Sequence, residues 1–146
     1  MLTKTLQSLF NRDLLKLKAE IELYKNEADL WKISGGVSNS AGNLCLHLTG
    51  NLQHFIGKEL GGTDFMRNRE FEFSAKNVCR ESLVSHIENT REIVNKTLEN
   101  LDENSLEKDF PVLIFKEKMS TEFFLIHLAT HLAYHLGQIN YHRRMI

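Results

Sequence analysis

The segment HLATHLAYHLGQINYHRR, residues 127–144, holds four of the chain's seven histidines. Imidazole is a neutral nitrogen donor that binds transition metals and titrates near neutral pH, so such a run offers metal ligation or proton handling. On a helix, steps of four place His127, His131 and His135 in one row, beside a leucine row (Leu128, Leu132, Leu136) and a small row (Ala129, Ala133, Gly137). Thr130, Tyr134 and Gln138 make a fourth row. Histidines at i and i+4 have Cβ atoms about 6 Å apart and can converge on one ion. Those at i and i+8 are about 12 Å apart along the axis and cannot. One adjacent pair at most can ligate, either 127 with 131 or 131 with 135.

A helical pair supplies two ligands, and a stable site needs a third from elsewhere. His47 is the candidate, because it falls between Leu44 and Leu48 on an inward stripe, where a bare imidazole would be penalised for desolvation. His54 follows on nearly the same azimuth but about 10 Å farther along the axis, at another level of the bundle. A single histidine on an apolar face is more often a hydrogen-bonded core residue than a ligand, and HxxxH is common in helices. Only the conjunction of the pair with His47 raises metal binding above that reading. His54, His86 and His142 are assigned to the surface or the bundle ends. Asn51, one turn after His47, and Tyr134 and Gln138, flanking His135, are candidates to orient ligands, with Tyr134 equally readable as a packed bundle residue.

Other constellations carry less. Cys45 lies two residues from His47, so its thiol points to another side of the helix, against a Cys-His nucleophilic pair. SGG and ELGG lack the strand and lysine that phosphate loops need. Trp31 and the phenylalanines read as core, with Phe71, Phe73 and the FPVLIF segment able to wall a pocket. The closing YHRR reads as a basic helix end complementing the helix dipole.

Four amphipathic helices are predicted to position these residues. The first, about 2–26, carries Leu6, Phe10, Leu14, Leu17, Ile21 and Tyr24 on one stripe. The second, about 41–59, is capped by Ser38 or Ser40 and stopped by Gly61 and Gly62. The third, about 79–101, has Leu83, Ile87, Val94, Leu98 and Leu101 inward, and the fourth, about 120–143, is capped by Ser120 or Thr121. The small row should let a neighbouring helix approach the fourth closely, and FPVLIF should form a short extended flap over one end. With no strand-rich half, the expected fold is all-α, a four-helix bundle, up-and-down or with a crossover connection, in one domain spanning 1–146.

The net charge is −1, with 18 basic and 19 acidic residues, which provides no field for nucleic acid or an anionic membrane. No apolar run reaches membrane-spanning length, and charges at Lys4, Arg12 and Asp13 interrupt any signal-like stretch. Cys45 and Cys79 read as reduced thiols, which points to the cytoplasm.

GNLCLHLTGNLQHFIG followed by HLATHLAYHLGQINYHRR resembles the DinB-like superfamily of four-helix metalloproteins, with one histidine on the second helix and HxxxHxGQI on the last. The resemblance implies His47, His131 and His135 as ligands of a divalent metal, commonly zinc or nickel, with open positions, and often a homodimer. Relatives of known activity include bacillithiol S-transferases and mycothiol-dependent maleylpyruvate isomerase. The leading expectation is therefore a metal-dependent S-transferase joining a low-molecular-weight thiol to a small electrophile. Such a site can hold the thiol as thiolate. Metal-dependent hydrolysis is the second enzymatic expectation, since an open site lowers the pKa of bound water toward about 7. A metal-binding or stress-associated interaction module without turnover is the third.

Overall fold

The computed structural model describes all residues, 1–146, and every regular element is helical. The helices are α1 (Leu2–Leu23), α2 (Ala41–Leu52), α3 (Arg69–Ser74), α4 (Arg80–Asn100) and α5 (Thr121–Met145). α2 continues through wider π-helical turns over Gln53–Lys58. The predicted caps form at Ser40 and Ser120, whose side chains accept from the amides of Asn43 and Phe123. α3 was not foreseen. Asn68 caps it by accepting from the Phe71 amide at 3.0 Å.

Each amphipathic stripe turns inward, and 26 buried hydrophobic residues drawn from α1, α2, α4, α5 and the connections join in one core. α1 and α2 each pack against both α4 and α5, so the diagonals are α1 with α2 and α4 with α5. Side-chain pairs fix the directions. Thr3 at the start of α1 bonds Glu103 just past α4, and Arg80 at the start of α4 bonds the Tyr24 carbonyl just past α1, so these helices are antiparallel. Glu20 near the end of α1 meets Arg143 near the end of α5, making that pair parallel. Gln53 bonds Thr90 while Gly61 lies against Thr97, so α2 and α4 run parallel. Phe55 meets Phe124 while His47 meets His131, so α2 and α5 are antiparallel. The resulting order is up-down-down-up, and the stretch from α2 back to the start of α4 is the crossover, with α3 on it.

Three expectations need correction. The small row does not admit a neighbouring helix: Ala133 and Gly137 are exposed, because α5 turns its leucine row toward α1 and α2 instead. His142 is at the bundle end, as expected, but it is no surface residue; it is 8% exposed and joined on both sides. Its Nε2–H donates to the Lys32 carbonyl at 2.9 Å, which can only accept, so Nδ1 accepts from the Tyr24 hydroxyl at 2.6 Å. The FPVLIF segment is a loop and not a laid-down strand. Backbone bonds between Phe110 and Met119 and between Thr121 and Lys108 close it, Phe110 anchors it against Phe124, and Leu113 and Phe115 stay exposed. Trp31 is half-buried, its indole lying where a methyl at Gly42 would clash, so glycine is required there.

No helix is long and apolar enough to cross a membrane. Because His142 ties the Lys32 connection to the end of α5, His142→Ala should destabilise the fold by about 1–3 kcal/mol, the usual cost of leaving buried polar partners unmet. Urea unfolding measures this, and the loss should come with no change in metal content.

Candidate metal centre

Antiparallel packing of α2 on α5 sets His47 opposite the gap between His131 and His135. Leu44 and Leu48 on one helix and Leu128 and Leu132 on the other are buried in the common core, which limits how either helix can rotate. The imidazole centroids are 5.1 Å apart for His47 and His131, 5.4 Å for His47 and His135, and 4.6 Å for His131 and His135. One ring nitrogen from each lies within 4.8 Å of the others, and no other histidine, cysteine, aspartate or glutamate joins the group.

The outward nitrogens show which atoms are left to ligate. His47 Nδ1 lies 3.1 Å from Glu72 Oε1, and His135 Nδ1 lies 2.7 Å from Gln138 Oε1. A carboxylate accepts only, so the Glu72 contact is a hydrogen bond when Nδ1 of His47 carries the proton, the form in which Nε2 presents a lone pair inward. The Gln138 carbonyl oxygen does the same for His135. His47 Nε2 and His131 Nε2 face each other at 3.2 Å. Two nitrogens bound to one ion at about 2.0–2.1 Å stand roughly 3.0–3.4 Å apart, so this pair already has the spacing of co-ligands. The residues fit a divalent ion.

Burial shapes the electrostatics. It pushes the His131 imidazole down to about 4, and the nearby His135, His47, His127 and Arg67 add to the effect. Burial also lowers His135, partly offset by the Gln138 bond. For Glu72 burial works upward, but hydrogen bonds from His47 and Arg67 together with their charge outweigh it and hold the carboxyl below its ordinary range. Neutral imidazoles are the form that ligates, and burial favours that form at His131 and His135.

The other histidines stand apart from the cluster. His127 is packed between Phe115 and Phe124, its ring stacked 6.2 Å from His131. His54 lies in the wide turns of α2, half-buried beside Phe55. Of the proposed orienting groups, Gln138 bonds His135, and Tyr134 is 65% exposed with its ring 5.2 Å from that histidine, so it is not a packed bundle residue. Asn51 is buried but makes no bond to His47, whose outer nitrogen is taken by Glu72.

Sequence reasoning missed Glu72 and Arg67. Arg67 Nε and Nη2 grip the two Glu72 oxygens at 2.8 and 2.9 Å, and both side chains are largely enclosed. The one available signal was Gly50, a glycine inside a helix where alanine is favoured by about 1 kcal/mol. A methyl there would overlap the Glu72 carboxylate. Beside His135 opens a cavity of about 590 Å³ walled by the 34–39 loop, Tyr134, Gln138 and Tyr141, while Phe73 covers His47 on another side with ring centroids 4.8 Å apart.

Fold and site together define a helical bundle with a partly buried three-histidine cluster at one helix pair. The chain belongs to the family described as "Protein of unknown function (DUF1572)", which matches residues 4–146. No curated protein matches it.

Removing any one of the three clustered histidines should abolish tight metal binding, so His47→Ala, His131→Ala and His135→Ala should each come through dialysis without metal, while His54→Ala and His127→Ala keep it. Retention by His135→Ala with loss in His127→Ala would reassign the pair. In the metal-free protein the unfolded chain binds its His131 proton near 6.5 and the folded chain only near 4. Stability should therefore fall as pH drops from about 6.5 to about 4, and His131→Gln should flatten that fall in urea titrations.

Proposed function

We propose that the cluster holds a divalent ion, zinc or nickel, and that the protein is a DinB-like, metal-dependent S-transferase joining a low-molecular-weight thiol to a small electrophile. The observation that carries this reading is the cavity of about 590 Å³ reaching His135, next to a donor set that stops at three. A closed structural site would have a fourth protein ligand. The nearest candidate, Glu72, is already occupied by His47 and Arg67.

The ion would supply Lewis acidity that lowers the pKa of a thiol at its open position. The chain's own residues do the rest. Gln138 orients His135, the Tyr134 and Tyr141 hydroxyls and the 34–39 loop offer uncharged hydrogen-bonding groups to a cosubstrate, and Phe73 shields His47 from water. The sulfur comes from outside the protein. Cys45 is fully buried, which pushes its thiol up to about 12, and Cys79 stands just before α4, outside the cluster.

Phe123, Ile126, Tyr134 and Tyr141 are exposed along α5 with Ala133 and Gly137 between them, a surface that supports the homodimer reading. Two free cysteines are compatible with a reducing cytoplasm.

Cobalt-substituted protein offered bacillithiol, mycothiol, glutathione or coenzyme A should change its visible spectrum with at least one thiol and speed that thiol's conjugation to a simple electrophile. His131→Ala should remove both effects, and Cys45→Ala and Cys79→Ala should keep them. A spectrum unmoved by every thiol overturns the transferase reading in favour of hydrolysis or a noncatalytic metal module.

A further inference from the structure

His47 differs from its two partners in what holds its outer nitrogen. His131 Nδ1 is buried with no partner, and His135 Nδ1 meets a neutral amide from its own helix. His47 Nδ1 meets a carboxylate from a separate element, α3, which reaches it only because the crossover runs back along α2. Arg67, just before α3, lies near the same atom, with its Nη2 3.4 Å from His47 Nδ1.

Those two neighbours favour opposite states. If Nδ1 is protonated it donates to Glu72; if it is bare it accepts from Arg67, and the proton moves to Nε2, where it blocks ligation. Free neutral histidine favours the second form. Here the carboxylate is the closer neighbour, 3.1 Å against 3.4 Å, and the guanidinium is already committed through two shorter bonds to Glu72 itself. Charge-assisted bonds of this kind are roughly twice as strong as neutral ones.

The placement of Glu72 is built in. Gly50 leaves room for the carboxylate against α2, where any side chain would displace it. Asn43 Nδ2 donates to the carbonyls of Glu72 and Ala75 at 3.0 and 2.8 Å, clipping the end of α3 to the start of α2. With one oxygen shared by His47 and Arg67 and the other held by Arg67, the carboxylate is not free to swing in as a ligand.

We infer that Glu72, held by Arg67 and seated against Gly50, is a positioning residue that keeps His47 in its Nδ1–H form and so presents the Nε2 lone pair to the metal. The inference rests on the three-histidine metal site proposed above. It assigns the crossover a role in the site: α3 is the part of the fold that makes His47 a ligand.

Two conservative variants separate this role from charge alone. Glu72→Gln keeps the reach and an acceptor oxygen but loses the charge; Glu72→Asp keeps the charge but loses the reach. Cobalt affinity, measured by titration in each folded variant, should fall about 10–100-fold for Glu72→Asp, the usual loss for a disrupted metal–histidine support, and by less for Glu72→Gln, which keeps an acceptor in place but gives up the charge assistance. Gly50→Ala, which displaces the carboxylate without removing it, should behave like Glu72→Asp. The opposite ranking, or no loss in Glu72→Asp, overturns the inference. Long-range nitrogen–proton correlation spectra of the metal-free wild type give a readout that needs no metal. His47 protonated at Nδ1 supports the inference, and His47 protonated at Nε2 overturns it. If wild type binds no cobalt while the spectra show Nδ1–H, the metal reading fails and the tautomer assignment stands.

Discussion

The antiparallel contact between α2 and α5 is the constraint from which the site follows. It brings two imidazole nitrogens to 3.2 Å in a place largely shut off from water. Leu44 and Leu48 of α2 and Leu128 and Leu132 of α5 are all buried in the common core, each contributing roughly 1.5–3 kcal/mol. An unpartnered buried polar group costs about 1–3 kcal/mol, which the burial of one such leucine roughly offsets. His47 and His135 have acceptors, and His131 Nδ1 is the one enclosed ring nitrogen of the three without one.

The bundle's order matters to this contact. Because α2 and α4 run parallel, the chain must travel back along the bundle between them, and that return brings Arg67, Glu72 and Phe73 alongside His47. A simple meander would have joined those helices by a short turn and left the outer face of His47 to solvent. Glycine appears where α2 is approached closely: at Gly50 beneath the Glu72 carboxylate, and at Gly57, where a methyl would meet Ile93 of α4. The other end of α5 is held independently, by His142 between Tyr24 and the Lys32 carbonyl, so the four histidines of one short segment serve three different environments.

Those environments explain where one-dimensional reading stopped. His142 and His54 look alike in sequence, yet one is locked by two hydrogen bonds and the other merely shelters beside Phe55. Asn51 has the right offset from His47, but a glutamate from another element is already bonded to the nitrogen it would have served. Small side chains at Ala133 and Gly137 permit close packing without compelling it, and α5 presents them to solvent.

Local periodicity was enough to establish the four long helices, the caps at Ser40 and Ser120, and the inward stripes, because these depend on neighbours within a turn or two. It also narrowed the candidate ligating pair on α5 to two choices and named His47 as the candidate third donor, since burial beside leucines restricts what an imidazole can do. Which pair faces His47 depended on the rotation and direction of α5 against α2, a property of the packed core and not of either helix. Glu72 and Arg67 lay beyond sequence reach for the same reason. A carboxylate in a short helix on a crossover gains its meaning from what it meets 25 positions earlier in the chain, and only the tertiary structure supplies that distance.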